Sequence, residues 1–270
     1  MELSLEQAKE YTNMVRKKSP VVHCITNIVT ANDCANILLA AGALPTMAHH
    51  PMEVAEVASH CDALVCNLGA TESLDAMKTA AIAAQKAGHP IVIDPVGTAG
   101  ITFRRNYFWE LTDAVKPSCV RGNFSEIKAL VEGRNTSVGV DADKADTLLP
   151  DGSTPLAGTQ ISNADDIVRQ LSQTLSCIVI ASGATDIISD GNSVFHVTQG
   201  SSMMSKITGT GCMSSALLGA YLACSGNIKA AVSACTVMGF CGETAAKDTM
   251  RYRVGTMTFR AKLIDAISLL

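Results

Sequence analysis

The feature that most constrains the fold is an alternation of short apolar runs with longer helical patterns. The apolar runs have the length of buried strands, and the segments between them have the periodicity of helices. The runs cover residues 21–25, 44–47, 63–68, 91–93, 119–121 and 177–181. Such alternation is typical of an α/β protein in which mostly parallel strands form a central sheet with helices on both faces.

Local signals predict where several of these elements begin and end. Ser4 and Gln7 have the spacing of a capping box, so the first helix is expected to begin after Ser4. Asp190-Gly191, between residues 187–188 and 194–196, is a strong signal for a β-hairpin. A second helix is expected to end near Gly42, a third to begin after Pro51, and a fourth to run from Thr71 to Gly88. A later helix is expected to run from an N-cap at Asn163 to Leu175. Nearly all residues after Cys212 are expected to be helical.

Length and composition favour a single domain over residues 1–270. The 270 residues are 47% hydrophobic but only 4% aromatic, which predicts a core of Ala, Val, Ile, Leu and Met. Residues 133–162, which are rich in Gly, Asp, Thr and Pro, are expected to form a surface excursion. Residues 207–228 carry no charge, but their glycines and hydroxyl side chains indicate a buried helix and not a membrane span.

Charge and cysteine usage argue against several classes of function. The net charge of −4 does not suit a surface that binds nucleic acid or anionic lipid. The ten cysteines form no C-x-x-C pair and lie mostly in apolar runs, which is typical of reduced thiols and not of a disulfide framework. The first residues lack the basic and apolar regions of a signal peptide, so a cytoplasmic protein is expected.

The sharpest candidate for a functional site is the glycine turn, residues 208–212, with the sequence Thr-Gly-Thr-Gly-Cys at the start of an apolar helix. Glycines let backbone N–H groups approach an anion closely, and the helix N-terminus adds a partial positive charge. The turn is therefore a candidate site for a phosphoryl group that gains charge during transfer. Many such turns are only tight turns, and this motif taken alone leaves both interpretations open.

Two carboxylates follow neighbouring strand candidates. Asp94 directly follows the run at 91–93, and Glu126 lies three residues after Asn123, which follows the run at 119–121. Open α/β sheets bind ligands at the carboxyl ends of their strands, so the two carboxylates could share a Mg²⁺ ion, which needs few protein oxygens. Taken singly, Asp94 is better explained by capping a turn, and Glu126 by the preference for acids in the first turn of a helix.

Four sequence blocks, in the same order, resemble the signature blocks of the hydroxyethylthiazole kinase family. They are His23-Cys24-Ile25-Thr26-Asn27, Asp94-Pro95-Val96-Gly97, Arg121-Gly122-Asn123 with Glu126, and the glycine turn. Residues 263–266 resemble the family's last helix, so the resemblance covers nearly the whole chain. It implies a ribokinase-like fold without a separate lid, and an ATP-dependent kinase for the primary alcohol of 4-methyl-5-(2-hydroxyethyl)thiazole in thiamine salvage. It also implies a homotrimer with active sites between subunits.

The resemblance further implies roles for individual residues. The thiazole is expected beside Asn27, Met47, Gly69 and Gly209. Thr210 and Gly211 would complete the catalytic anion-binding turn with Cys212, and Asp94 and Glu126 would organise Mg²⁺. Arg121 would contact the ATP phosphates.

Two departures from the family pattern bear on the nucleotide site. Ser182 stands where the family usually has a threonine that contacts ATP, and because the hydroxyl is kept, the contact is expected to be kept. Residues 141–161 look longer than the corresponding segment of the family, and the sequence does not say whether they affect access to the nucleotide.

Cys212 stands where most ribokinase-like enzymes have an aspartate base. The pKa of a thiol falls at a helix N-terminus, so a thiolate is expected to be favoured at this position. The residue either acts as a weak base or fills the space of the aspartate while the turn and Mg²⁺ stabilise the transferred group. The other nine cysteines are expected to be small buried apolar residues.

Two other functions fit parts of the sequence. A pyridoxal or hydroxymethylpyrimidine kinase, or an ATP-dependent NAD(P)HX dehydratase, would be expected to carry an aspartate in place of Cys212. A nucleotide-binding regulator would keep the pocket without catalysis, and the intact Asp94, Glu126 and glycine turn argue against it. His49, His50 and His60 lack the spacing of a metal site, and Arg251 and Arg253 are expected at the surface or at a subunit interface.

Overall fold

The computed structural model describes residues 3–135 and 161–270, and the strands of these residues form one sheet. The strands are β1 (Val21–Ile25), β2 (Leu44–Thr46), β3 (Ala63–Asn67), β4 (Ile91–Asp94), β5 (Cys119–Asn123), β6 (Ile178–Ser182), β7 (Asp186–Ser189) and β8 (Val194–Val197). Their order in space is β2-β1-β3-β4-β5-β6-β7-β8. The strands from β2 to β6 are parallel, and β7 and β8 are added antiparallel, so the predicted mostly parallel sheet is confirmed.

Helices cover both faces of the sheet, as predicted. They are α1 (Leu5–Lys18), α2 (Ala31–Ala41), α3 (Val54–His60), α4 (Leu74–Ala87), α5 (Thr102–Ala114), α6 (Phe124–Asn135), α7 (Ile161–Leu175), α8 (Thr210–Cys224), α9 (Ile228–Arg251) and α10 (Thr256–Ser268). One apolar cluster joins α1, α2, α8, α9 and α10 to the first face, and a second cluster joins α3 to α7 to the other face. Because all described strands belong to one sheet, no second sheet is present among them to form a lid.

The central strands are mostly apolar on both sides because both of their faces are covered. Successive side chains of a strand point to opposite faces. Cys24 and Val65 therefore lie in the first cluster, whereas Ile25 and Leu64 lie in the second. This explains why the strand candidates appear in the sequence as continuous apolar runs.

Most local signals are confirmed. The hydroxyl of Ser4 accepts a hydrogen bond from the backbone N–H of Gln7, and the Gln7 side chain accepts one from the N–H of Ser4, so the capping box is present. β7 and β8 pair as an antiparallel hairpin around Asp190-Gly191. Residues 207–228 include the buried helix α8, and no helix of the described ranges is long and apolar enough to cross a membrane.

Two boundary predictions are wrong. The N-cap prediction for Asn163 fails because α7 begins at Ile161, so Asn163 lies inside the helix; an N-cap contributes only about 1 kcal/mol and does not fix a boundary by itself. Thr71 opens a short 3₁₀ turn, Thr71–Ser73, and the α-helix begins only at Leu74.

The predicted surface excursion at 133–162 is partly corrected. Residues 133–135 belong to α6 and residues 161–162 belong to α7, so both ends of this segment are helical. Residues 136–160, and with them nearly all of the long segment at 141–161, lie outside the described residues.

The strand order creates a topological switch point beside β1. The chain leaves β1 through α2 on the first face of the sheet and leaves β3 through α4 on the opposite face. A crevice forms where neighbouring strands send their chains to opposite faces, and α/β proteins bind ligands there, at the carboxyl ends of the strands.

Candidate active site

Polar side chains follow or end five adjacent parallel strands at one edge of the sheet. Asn27 follows β1, Asn67 ends β3, Asp94 ends β4, Asn123 ends β5 and Ser182 ends β6. Because the carboxyl ends of parallel strands meet at the same edge, these residues are brought together although the sequence separates them widely.

Asp94 is fixed at this edge by two donors. Its side chain is buried, with 2% exposure of the residue. Its Oδ2 accepts a hydrogen bond of 2.8 Å from the hydroxyl of Ser215 and one of 3.1 Å from Nδ2 of Asn67. Within the described ranges no side-chain or backbone donor reaches Oδ1 of Asp94, so this oxygen is available to a cation.

Glu126 also lies at this edge, but it holds the backbone of two loops. Its Oε1 accepts a hydrogen bond of 2.7 Å from the backbone N–H of Gly97, which follows β4. Its Oε2 accepts one of 2.9 Å from the N–H of Asn123, whose own side-chain oxygen accepts the N–H of Glu126 at 2.8 Å. The carboxylate therefore ties the loop after β4 to the start of α6.

Burial keeps both carboxyl groups less acidic than usual. Burial raises the pKa of Asp94, and the Arg121 guanidinium and the two hydrogen bonds oppose this only in part. Burial, together with the nearby charge of Asp94, raises the pKa of Glu126 to about 7, against the backbone N–H groups of Gly97 and Asn123 and the charge of Arg121. Two buried carboxylates that repel each other fit a bound cation, since the cation would relieve both the burial cost and the repulsion.

The donor set fits Mg²⁺ better than a metal that needs a closed protein cage. In the described part of the chain, no three His, Cys, Asp or Glu side chains gather into a metal cluster. Mg²⁺ typically keeps several waters and uses one or two carboxylates together with substrate phosphates. Asp94 and Glu126 are therefore the residues that could hold it.

The glycine turn forms the N-terminus of α8. Gly209 is the N-cap and has φ of 92°, a left-handed conformation that favours glycine. The first intrahelical bond runs from the N–H of Met213 to the carbonyl of Gly209 at 2.8 Å, so the N–H groups of Thr210, Gly211 and Cys212 precede it. These N–H groups have no partner inside the helix, so they can donate to a bound anion.

Arg121 lies directly beside this turn. Its Nη1 donates a hydrogen bond of 3.1 Å to the carbonyl oxygen of Gly211. A Cβ on Gly211 would come within 3.0 Å of the same nitrogen, so the glycine makes the close approach possible. The guanidinium thus adds a full positive charge next to the N–H groups of the turn.

Cys212 is held between two amide side chains. Its Sγ accepts hydrogen bonds from Nδ2 of Asn67 at 3.2 Å and from Nδ2 of Asn27 at 3.5 Å. The prediction that its pKa falls is wrong: burial raises it and the charge of Asp94 raises it further, against the hydrogen bonds from Thr30, Asn27 and Asn67. The thiol sits at a helix N-terminus, but it is also half-buried beside a carboxylate, and both of these effects disfavour the thiolate.

Two of the predicted thiazole residues lie next to each other. The N–H of Gly69 donates to Oδ1 of Asn67 at 2.8 Å, and a Cβ on Gly69 would come within 3.3 Å of Nδ2 of Asn27. Met47 directly follows β2 at the same edge and borders the same apolar cluster as Cys212. The ring of His23 fixes this segment, because its Nε2 donates to the carbonyl of Ala48 at 2.7 Å.

Ser182 ends β6, next to the strand that carries Arg121. Its hydroxyl donates to the carbonyl of Gly122 at 3.2 Å. The position at the carboxyl edge agrees with a nucleotide contact, which stays a prediction.

Comparison with known proteins decides the family. The sequence model of the hydroxyethylthiazole kinase family matches residues 12–270. The chain belongs to the hydroxyethylthiazole kinase family. It is 42% identical to the hydroxyethylthiazole kinase of Clostridium beijerinckii, over 95% of this chain and 90% of that protein. It is 39% identical to hydroxyethylthiazole kinase 1 of Methanosphaera stadtmanae, over 99% of this chain and 94% of that protein.

Solved structures agree with the fold. The hydroxyethylthiazole kinase protein of Pyrococcus horikoshii superposes with a TM-score of 0.82 at 31% identity, covering 98% of this chain and 94% of that one. A ribokinase-like superfamily protein of Enterococcus faecalis superposes with a TM-score of 0.61 at 14% identity, covering 99% and 95% of the two chains. The second likeness concerns the fold alone and confirms the ribokinase-like architecture.

Sequence reasoning missed two residues of the site of this hydroxyethylthiazole kinase family member. Asn67 donates to both Asp94 and Cys212, and Ser215 donates to Asp94. The signal for Asn67 was its place at the end of a strand run beside the run that Asp94 follows. The signal for Ser215 was helical spacing, which puts it one turn after Cys212 on the same side of α8.

Proposed function

We propose that this protein transfers the γ-phosphoryl group of ATP to the primary alcohol of 4-methyl-5-(2-hydroxyethyl)thiazole, as a kinase of thiamine salvage. Its family membership supports the substrate. The observation that carries the chemistry is the glycine turn at the N-terminus of α8, which lies against Arg121 and whose Cys212 lies near the buried Asp94. A helix N-terminus with an adjacent guanidinium suits a group whose negative charge grows during transfer.

The transfer is direct and in line. The hydroxyethyl oxygen forms a bond to the γ-phosphorus, the bond from that phosphorus to the β–γ bridging oxygen breaks, and ADP leaves. The hydroxyl proton passes to Cys212 where the thiolate acts as the base, and otherwise to solvent. The N–H groups of Thr210, Gly211 and Cys212 donate to the oxygens of the transferring group. Such reactions depend mainly on positioning and on electrostatic stabilisation, which these residues supply.

The nucleotide and metal are assigned to the centre of the sheet edge. Asp94 and Glu126 would hold Mg²⁺, which neutralises phosphate charge when it is bound. Arg121 binds the ATP phosphates, and the hydroxyl of Ser182 binds the nucleotide. The thiazole lies at the switch point, beside Asn27, Met47, Gly69 and Gly209.

Product analysis tests this function. The purified protein is incubated with Mg·ATP and a panel of alcohols that contains the thiazole, pyridoxal and the hydroxymethylpyrimidine. We expect the mass of the thiazole monophosphate, together with one ADP for each product molecule. Phosphorylated pyridoxal or pyrimidine without phosphorylated thiazole would contradict the substrate, and nucleotide binding without any product would favour the regulator.

The role of Cys212 is open to a pH test. If the raised-pKa thiol is an auxiliary base, wild-type kcat rises between about pH 7 and 9 as the thiolate fraction grows. Cys212→Asp should stay active and show no further rise in kcat above about pH 8, because a carboxylate ionises at lower pH than a thiol and Glu126, with a pKa of about 7, is then ionised as well. Cys212→Ser should lose about tenfold or more, because a hydroxyl is not a base near neutrality. A wild-type profile as flat as that of the Asp variant would mean that the thiol only fills space, and a trapped phosphocysteine would contradict direct transfer.

The assembly is proposed to be a cytoplasmic homotrimer with the active sites between subunits. Ile28 and Val29 directly follow Asn27 and expose 87% and 67% of their surface, which supports a neighbouring subunit over the thiazole. Light scattering is expected to give three times the 28.2 kDa mass of one chain. Full activity in a sample that scatters as a monomer would contradict the trimer.

A further inference from the structure

A buried carboxylate lies directly behind the glycine turn. Asp33, in the first turn of α2, is 2% exposed. A Cβ placed on Gly209 would meet Oδ2 of Asp33 at 3.5 Å and Cγ2 of Thr30 at 3.0 Å. The N-terminal turn of α2 therefore packs against the N-cap of α8, on which the anion-binding N–H groups depend.

A negative charge at this position opposes the proposed chemistry. Like charges a few ångströms apart repel strongly where water is largely excluded. A phosphoryl group that gains negative charge at the glycine turn would be repelled by an uncompensated Asp33. The carboxylate is therefore compatible with the site only if another residue neutralises it.

Arg260 of α10 supplies that neutralisation from the far end of the chain. Its Nε donates to Oδ1 of Asp33 at 2.6 Å, and its Nη2 contacts the same oxygen. The Arg260 side chain is 31% exposed, whereas that of Asp33 is 3% exposed. Both guanidinium contacts are made to Oδ1, and Oδ2 is the oxygen that faces Gly209.

We propose that Arg260 is a positioning residue for phosphoryl transfer. It acts by pairing with Asp33 behind Gly209, which cancels the charge that would otherwise oppose the transferring group. Arg260 acts through Asp33 and makes no direct contact with the reacting atoms. This inference rests on the proposed function, because it takes the glycine turn to be the place where the phosphoryl group is stabilised.

The test compares four variants of the full-length protein: Arg260→Gln, Arg260→Lys, Asp33→Asn and the double variant Asp33→Asn/Arg260→Gln. We expect Arg260→Gln to lower kcat about tenfold or more, with smaller changes in KM for ATP and thiazole, since the charge acts mainly on the transition state. The double variant should recover kcat to within about threefold of wild type, because the uncompensated charge is gone. Arg260→Lys should lie between these, since it keeps the charge but loses the paired contacts.

Two controls separate positioning from simple stability. Lys262→Gln removes a more exposed pair with Asp265 on the same helix and should leave kcat unchanged. Thermal melts are used to choose an assay temperature at which every variant is folded. At that temperature, a purely structural role of Arg260 would leave kcat unaltered. If Arg260→Gln does not fold, Arg260→Lys carries the test together with the double variant, and a folded Arg260→Lys that is no slower than the double variant overturns the inference.

A folded Arg260→Gln variant with kcat within about twofold of wild type overturns the inference, as does a folded double variant that stays about tenfold slow. A wild-type protein that phosphorylates none of the alcohols refutes the proposed function itself. An active wild type with an unaffected Arg260→Gln refutes only the positioning role.

Discussion

Replacing Asp94 by asparagine is expected to lower kcat by about 10³-fold or more in a protein that stays folded, since a bound divalent cation supplies several kcal/mol of transition-state stabilisation. The carboxylate is anchored through Oδ2 by Ser215 and Asn67, and its Oδ1 faces no protein donor among the described residues. Asparagine has nearly the same shape but no charge, so the Mg²⁺ site would be weakened. The measurement is kcat as a function of Mg²⁺ concentration.

The thermal stability of Asp94→Asn should not fall, although its activity does. Burial raises the pKa of Asp94 in the folded state, and a carboxyl group of this kind destabilises the fold once the pH exceeds its unfolded-state pKa. At neutral pH the wild type therefore carries this cost and Asp94→Asn does not. In the absence of nucleotide and metal, the Tm of the variant at pH 7 should equal or exceed that of wild type.

Two comparisons make the Asp94 prediction specific. Asp113→Asn, on the exposed side of α5, should leave both kcat and Tm unchanged. Glu126→Gln should also weaken Mg²⁺ use, and it loses one of the two good acceptors for the backbone N–H groups of Gly97 and Asn123, because an amide has a single oxygen. Wild-type rates with wild-type Mg²⁺ dependence in Asp94→Asn would refute the metal role.

The fold was predictable from the sequence because its signals are local. Each central strand is a mostly apolar run, and the hairpin at Asp190-Gly191 and the capping box at Ser4 and Gln7 are fixed by neighbouring residues. Where a single local preference was used to place a boundary, as at Asn163, it failed, because that preference is small beside the backbone hydrogen bonds of an extended helix.

The active site was predictable only in part, because its geometry depends on the strand order. Asp94 and Glu126 were found from their places after strand runs, but Asn67 became recognisable only when β3 was seen between β1 and β4. Asp33 and Arg260 form an ion pair although they lie 227 residues apart in the sequence, so no local pattern predicts it. The helix N-terminus suggested a lowered pKa for Cys212, whereas burial and the charge of Asp94 raise that pKa. Burial depends on the whole fold and cannot be inferred from neighbouring residues alone.

The second large effect is expected at Gly209, where Gly209→Ala should lower kcat about 10²-fold or more, the cost of losing one well-placed oxyanion donor. The φ of 92° at this residue is unfavourable for any side chain, by about 1–2 kcal/mol. An added methyl group would also come within 3.0 Å of Cγ2 of Thr30. The turn must shift to accommodate it, and the N–H groups of Gly211 and Cys212 would move with it.

Two matched glycine variants separate these causes. Gly226→Ala, just beyond the other end of α8, has open space around its Cβ and no positive φ, so it should behave as wild type. Gly88→Ala has a φ of 77° but also open space, so it should lose stability through backbone strain while keeping its kcat. Gly209→Ala alone should lose both, because its strain lies in the turn that binds the transferred group. If the folded Gly209→Ala protein kept the kcat of Gly88→Ala, the glycine turn would be an ordinary tight turn, and the phosphoryl group would have to be stabilised elsewhere.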